Sequence, residues 1–168
     1  MNFSFNRAVA LLVVSSAFLF AVTSCSKSGG GSSAGLSASV NGSAWANSYP
    51  VEGIYYVSGG FFNFGGAQIK GGDTTAFEVA IYLPFSLNQA VSSDTSQNVV
   101  SYIDAKTFNT YTGAYGSGHA AITVTSIDSS GTTGKIGGTF SGVLYNVTNS
   151  NDSLVVAGGK FSTGFTKQ

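Results

Sequence analysis

The sequence has few of the residues on which catalytic and metal sites usually depend. Its 168 residues include one cysteine and one histidine, and only 8% are charged. A disulfide framework needs pairs of cysteines, so it is excluded. A structural zinc site needs several converging thiolates or imidazoles, which this chain cannot supply. We therefore predict no catalytic residue, no metal and no cofactor.

Charge of either sign is also scarce. Lysine and arginine together number seven, aspartate and glutamate number seven, and the formal net charge is zero. Soluble domains ordinarily carry about a quarter of charged residues. The surface must therefore be built from Ser, Thr, Asn and Gly, as in many exported β proteins. Without a basic patch, a nucleic-acid partner is not expected.

The sequence lacks an apolar run long enough to span a membrane. Residues 8–22 form an apolar run of 15 residues interrupted only by two serines, and a spanning helix needs about 20. The run follows Arg7 and precedes small residues, as in a cleaved secretory signal. We predict a signal peptide over residues 1–24, a Gly/Ser-rich flexible tether over residues 25–35, and one domain over residues 36–168.

Cys25 stands where this signal would be cut. The sequence Val22-Thr23-Ser24-Cys25 resembles the bacterial lipobox, which implies a diacylglycerol on the Cys25 thiol and a membrane partner held through that lipid. The alternative is an ordinary secreted protein with a free thiol. By the same resemblance, Ser26 favours the outer membrane. No acidic cluster follows the cysteine, which favours a periplasm-facing position over the cell surface.

The rest of the chain alternates apolar and polar residues with a period of two. Phe77, Val79, Ile81 and Leu83 share one strand face by this period, and Asn41-Gly42 is a strong hairpin signal. No convincing amphipathic helix is present. We predict an all-β fold, an antiparallel β-sandwich or small β-barrel of about nine or ten strands. A transmembrane barrel has a similar pattern, but a lipid anchor would be largely redundant on it.

Four local expectations follow from single residues and short segments. Trp45 should plug one end of the core. The Gly65-Gly66 pair should mark a bulge or sharp bend, and residues 88–96 should form a loop. Glu78 alternates with Phe77 and Val79, so its side chain should face solvent.

Three segments carry a resemblance to a known group of proteins. The opening Val-Asn-Gly-Ser-Ala-Trp of residues 40–45, the Gly-Thr-Phe-Ser of residues 138–141 and the Gly-Lys-Phe of residues 159–161 resemble motifs of small Bacteroidota lipoproteins. That group has an all-β domain of uncharacterised function. The resemblance implies the fold and the location, and it lends no mechanism.

Aromatic residues give the one binding hypothesis. Tyr55 and Tyr56 are adjacent, so they point to opposite sides of a strand. Together with Tyr82, Tyr111 and Tyr115 they could form an exposed platform that stacks on sugar rings or holds a lipid. The alternative, which we favour, is that these rings brace cross-strand pairs inside the sheet.

Other chemistry has weaker support. His119 follows two glycines and reads as a loop or strand-edge residue, and no Gly-X-Ser-X-Gly elbow accompanies it. The polar residues 149–152 could hold calcium through oxygen ligands, but a plain hairpin turn is the better interpretation. Asp73-Thr74-Thr75 and Asp152-Ser153-Leu154 resemble the O-glycosylation sequon of Bacteroidota, which makes Thr74 and Ser153 candidate glycosylation sites.

Taken together, these features predict a lipid-anchored envelope protein that is not an enzyme and acts as a structural or binding module. Its candidate partners are a glycan, a lipid or another envelope protein. The alternative is a glycan- or lipid-binding domain that uses exposed aromatic residues, and a hydrolase is a distant third.

Overall fold

The computed structural model describes residues 35–168, all as strands, turns and connections. The predicted signal peptide, Cys25 and nearly all of the predicted tether lie outside the described residues. The strands are β1 Gly35–Val40, β2 Ser43–Ala46, β3 Glu52–Tyr56, β4 Phe61–Lys70, β5 Asp73–Tyr82, β6 Ala90–Ser92, β7 Val99–Asp104, β8 Asn109–Gly113, β9 His119–Ser130, β10 Thr133–Asn146 and β11 Ser153–Lys167. No helix within residues 35–168 is long and apolar enough to cross a membrane.

The prediction of an all-β fold is confirmed, with eleven strands where nine or ten were expected. The strands form one sheet in the order β2-β1-β11-β3-β4-β5-β7-β8-β10-β9-β6, with a further pairing of β10 and β11. All pairings are antiparallel except β11 with β3, which run parallel. Because β10 pairs with both β8 and β11, seven strands close into a barrel-like ring: β3, β4, β5, β7, β8, β10 and β11.

Two long strands hold the ring together. Along one side, β11 pairs first with β1 and then with β3. The other long strand, β10, pairs with β9 over most of its length and with β8 at its C-terminal end. Each long strand therefore has two partners in succession. The remaining strands lie outside the ring: β1 pairs with β11 and carries β2, and β9 pairs with β10 and carries β6.

The ring interior is filled mainly by aromatic and β-branched side chains. Phe77 lies near its centre, with its ring centroid 5.5 Å from Phe140 and 4.8 Å from Trp45, both edge to face. Trp45 is 4% exposed, and its indole Nε1 donates to Thr75 Oγ1 at 2.8 Å. The expectation that Trp45 closes part of the core is confirmed, and its polar group is satisfied as a buried indole requires.

Local predictions succeed at one turn and fail at two other places. Asn41 and Gly42 have φ values of 47° and 81°, as a two-residue hairpin turn requires. Residues 90–92 form β6 where only a loop was expected. Gly65-Gly66 makes no bulge, since β4 keeps an unbroken register with β3 and β5. These glycines instead allow close approach: a Cβ on Gly65 would lie 2.9 Å from the Phe77 carbonyl oxygen.

Gly138 shows why the ring needs glycine at some interior positions. A Cβ there would lie 2.5 Å from the Phe161 ring and would overlap the Thr123 carbonyl oxygen. The register of β9 and β10 also shifts between Gly137 and Gly138, which bends the strand. The ring therefore closes around a position that has no room for a side chain.

Gly138→Ala should lower the free energy of unfolding by about 1–3 kcal/mol, as other overpacked cores do. Gly164→Ala is the matched control, because the nearest atom to its added Cβ is 3.8 Å away. The control should change stability by less than about 0.5 kcal/mol. Urea unfolding of both variants measures the difference, and equal losses would contradict the packing argument.

Candidate functional site

The outward side of one ring wall carries the most distinctive group of side chains. Side chains alternate along a strand, so residues between the core positions of β3, β4, β5, β7 and β8 point outward. We call this surface the Glu78 face. Its residues are Glu52, Ile54, Tyr56, Phe61, Asn63, Gly65, Ala67, Ala76, Glu78, Ala80, Tyr82, Val99, Ser101, Ile103, Thr110 and Thr112.

Three aromatic rings form a row across one end of the Glu78 face. The strand register places Phe61 between Tyr56 and Tyr82. Its ring centroid lies 4.7 Å from that of Tyr56 and 4.9 Å from that of Tyr82, with interplanar angles of 25° and 19°. Phe61 thus has both ring faces occupied. Only the ring edges and the outer faces of the two tyrosines remain for a ligand.

A buried carboxyl group lies four residue pairs along the β4–β5 ladder from this row. Glu78 is 7% exposed, and its Oε1 accepts a hydrogen bond of 3.0 Å from Asn63 Nδ2. The residues directly opposite it are small, Gly65 on β4 and Ser101 on β7. The expectation of a solvent-facing Glu78 is therefore wrong. The side chain points away from the core as predicted, but it is buried among its neighbours.

This burial changes the acidity of the carboxyl group. Desolvation raises the pKa of Glu78 above the ordinary glutamate value, and the hydrogen bond from Asn63 opposes that rise. Partial burial likewise raises the pKa of the Tyr82 phenol. Next to Glu78, Ser101 Oγ donates to Thr112 Oγ1 over 3.5 Å. The Glu78 face thus combines uncharged hydrogen-bonding groups with a carboxyl group that ionises reluctantly.

Three of the five predicted tyrosines lie elsewhere. Tyr55 stacks on Phe62 at 4.4 Å, at the edge of the core. Tyr111 is buried, and its hydroxyl donates to Asp152 at 2.8 Å. Tyr115 is 63% exposed, in the short turn between β8 and β9. The five-tyrosine platform therefore does not form, and only Tyr56 and Tyr82 come together.

Sequence reasoning missed the residues that join those two tyrosines. Phe61 and Asn63 alternate outward on β4, and the flanking glycine turns could have indicated the register that sets Phe61 opposite Tyr82. No sequence signal marks the burial of Glu78, since alternation along β5 places it on the outward side of the strand.

Tyr111 belongs to a structural cluster at the β10–β11 turn. Asp152 accepts from both the Tyr111 hydroxyl and Asn146 Nδ2, the latter at 3.1 Å. Burial and then the Asp152 carboxylate raise the pKa of Tyr111. Backbone bonds from Asp152 to Asn149 and from Asn149 to Asn146 complete the turn. The structure describes no group of three potential metal-ligating side chains within residues 35–168, and this carboxylate is already engaged as part of a hairpin turn.

His119 begins β9 and forms an ion pair with Asp94, with Nδ1 2.8 Å from Oδ2. Ser92 Oγ donates to the same Asp94 carboxylate at 3.3 Å. A catalytic triad needs the serine on the free nitrogen of the imidazole, whereas here the serine contacts the acid. Both ion-pair partners are well exposed, with 66% and 44% of their side-chain surfaces accessible. This arrangement does not activate a serine.

The opposite wall of the ring carries an open trough of about 490 Å³. Small hydroxyl and glycine residues line it, among them Ser37, Thr125, Thr139 and Ser162, and Lys160 is its one charged residue. The trough contains no carboxylate or imidazole. We therefore place the candidate site at the Glu78 face, where rings and polar groups converge.

The two sequons lie at the starts of strands. Ser153 is exposed as the first residue of β11, whereas Thr74 is half-buried in β5. The Thr74 carbonyl accepts from the Ala105 amide, and Asp73 forms an ion pair with Lys106 at 3.1 Å. Of the two hydroxyl groups, Ser153 is the more accessible to a transferase.

Comparison with known proteins gives one family match. The family model described as Domain of unknown function (DUF5025) matches residues 86–164, slightly less than half of the chain. The matched region includes β6 to β10 and most of β11, but not the aromatic row or Glu78. No curated protein and no solved structure matches the chain. The match supports an uncharacterised domain, and the lipoprotein part of the expected resemblance stays a prediction.

Glu78→Gln should make the protein more stable at neutral pH. Because the folded-state pKa of Glu78 is raised, the folded protein holds this proton more tightly than the unfolded chain does. The native protein therefore loses stability as pH rises from the unfolded value, about 4.5, through the folded one. The variant has no such loss, so the two proteins should differ at neutral pH and converge in acid.

Thermal unfolding followed across this pH range measures the difference. Glu52→Gln is the control, because Glu52 is exposed and lies in the same lateral row, separated from Glu78 by Gly65. The control should lack the gain in stability that Glu78→Gln shows at neutral pH. A Glu78→Gln variant with the native pH profile would show that this carboxyl group is not desolvated.

Glycosylation can be tested by the intact mass of protein expressed in a Bacteroidota host. We expect a sugar increment that Ser153→Ala removes and that Thr74→Ala leaves largely in place, because Ser153 is the exposed hydroxyl. An unmodified mass for the parent protein would reject the prediction. Loss only in Thr74→Ala would show that accessibility in the folded domain does not select the site.

Proposed function

We propose that this chain is a non-catalytic binding module attached to a bacterial envelope membrane through lipid on Cys25. The Glu78 face is the observation that carries the binding role. Residues 35–168 contain no helix, so no helix covers this side of the wall. A buried, singly hydrogen-bonded carboxyl group and a row of stacked rings on such a surface favour recognition of a ligand.

Two further observations support a role without catalysis. The His119–Asp94 pair has its serine on the carboxylate rather than on the imidazole, and it is open to solvent. The trough on the opposite wall holds a single lysine and no acid. Neither place pairs a nucleophile with a base in a water-excluding cleft, as covalent catalysis requires.

The route of the chain into the domain suits a tethered module. Residue Gly35 begins β1 and pairs with Ser162 of β11, whereas Glu78 lies on β5 across the ring. A tether ending at Gly35 would therefore join the wall opposite the Glu78 face. We propose the outer membrane, facing the periplasm, as the location, since Ser26 follows the cysteine without an acidic cluster.

Cys25→Ala should abolish lipid attachment and release the protein from membranes. Each acyl methylene buried in the bilayer contributes about 0.8 kcal/mol, and stable anchoring needs at least two chains. Metabolic labelling with an alkyne fatty acid, followed by membrane fractionation, measures both effects. We expect labelled, membrane-bound native protein and unlabelled, soluble variant.

Ser28→Ala is the matched control, since it changes the predicted tether and leaves the residues around Cys25 intact. It should keep the label and the membrane fraction of the native protein. Labelling that persists in Cys25→Ala would overturn the proposed anchor, while leaving any binding by the described domain to be judged separately.

A further inference from the structure

Three outward residues of β5 form a narrow strip that is polar at one end and aromatic at the other. Glu78, Ala80 and Tyr82 follow one another on the same side of the strand, and Asn63 lies directly opposite Ala80 on β4. Glu78 and Tyr82 are four residues apart, or about 13 Å at about 3.3 Å per residue. The strip therefore offers a carboxyl group, an amide and an aromatic ring over a length greater than one sugar ring.

The polar end of the strip keeps unused hydrogen-bonding capacity. Within residues 35–168, the Asn63 amide gives the one hydrogen bond to the Glu78 side chain. A carboxylate can accept about four. No buried side-chain nitrogen or oxygen of the described residues lacks a partner, so the other Glu78 oxygen must reach the surface despite the burial of the side chain. A ligand with hydroxyl groups could supply the missing donors.

Nothing projects from the middle of the strip, and its far end is aromatic. Ala80 is 1% exposed, so the side chains around it cover its methyl group. Tyr82 ends the aromatic row, because the ladder between β5 and β7 stops at Ala80 and Val99. The Tyr82 ring face turned away from Phe61 is therefore not stacked on another aromatic ring of the described domain. An aromatic face of this kind packs well against an apolar ring surface.

The charge of the Glu78 face narrows the ligand class. None of its outward residues is lysine or arginine, so it offers nothing to the phosphates of an anionic lipid or a nucleic acid. Its aliphatic side chains are mostly alanine and half-buried valine or isoleucine, which gives a protein partner little apolar area. A neutral sugar combines flat apolar ring faces with hydroxyl groups, and it matches both halves of the strip.

We propose that the strip from Glu78 to Tyr82 binds a neutral oligosaccharide. Glu78 and Asn63 hydrogen-bond the hydroxyl groups of one sugar unit, and Tyr82 stacks on the ring of another. This inference rests on the proposed function of a binding module and names its ligand class.

Calorimetric titration of the full-length, detergent-solubilised protein tests the proposal. The probes are neutral hexasaccharides of glucose, mannose, xylose and N-acetylglucosamine, with an alginate hexasaccharide and phosphatidylglycerol vesicles as anionic comparisons. We expect saturable binding of at least one neutral hexasaccharide. Tyr82→Ala and Asn63→Ala should each weaken that binding at least tenfold.

Glu78→Gln keeps the proposal testable if the other variants fail to fold, because Gln preserves the shape and one acceptor oxygen. We expect at least tenfold weaker binding by this variant, since it loses the charged acceptor. Tyr115→Ala and Lys160→Ala should bind as the native protein does, because one changes an exposed tyrosine outside the Glu78 face and the other changes the trough.

Three results would overturn the proposal: no binding of any neutral hexasaccharide, a preference for alginate or the vesicles, or a loss of binding in Lys160→Ala but not in Glu78→Gln. The proposed function fails in a different way. A membrane-bound protein that crosslinks to an envelope protein and binds no sugar would refute the ligand class alone. Sugar binding by a protein that is not lipidated would refute the anchor alone.

Discussion

Closure of the ring by the β10–β11 hairpin is the constraint on which the other features depend. These strands have 14 and 15 residues, and they must bend to serve two partners each. Glycines at tight positions allow that bending, and register shifts in both long strands mark where it occurs. Once the ring is closed, each strand has a fixed register, so the outward and inward residues of the β3–β8 wall are fixed as well.

Local patterns in the sequence predict what depends on neighbours along the chain. Alternation placed Phe77, Val79 and Ile81 on the core side, and Asn41-Gly42 formed the expected turn. The prediction was wrong for Leu83, which is exposed and follows the end of β5. Alternation fixes the face of a residue but not the partner of its strand. The parallel pairing of Gly164 with Glu52 joins distant parts of the chain and could not be predicted. The three residues of β6 are strand only because they lie against β9.

The same distinction explains the outcome at the candidate site. The period of two showed that Tyr55 and Tyr56 diverge, and the structure sends Tyr55 to the core edge and Tyr56 to the outside. Tyr56 and Tyr82 stack on the two sides of Phe61 because of the registers of the β3–β4 and β4–β5 hairpins. The burial of Glu78 depends on how the neighbouring strands pack around it, with Gly65 and Ser101 directly opposite. Neither the stacking of these rings nor the burial of Glu78 can be predicted from one segment of the sequence alone.

Two carboxyl groups in this domain differ in how fully hydrogen bonds compensate for their burial. Asp152 accepts from the Tyr111 hydroxyl and the Asn146 amide, and these bonds tie the β10–β11 turn to β8. Glu78 is more deeply buried, yet it accepts from Asn63 alone. Burial of an ionisable group with so little compensation opposes folding, and uncharged side chains would fill the same place without that penalty. The ligand that we propose for the Glu78 face would complete this hydrogen bonding at an outward position beside an aromatic row.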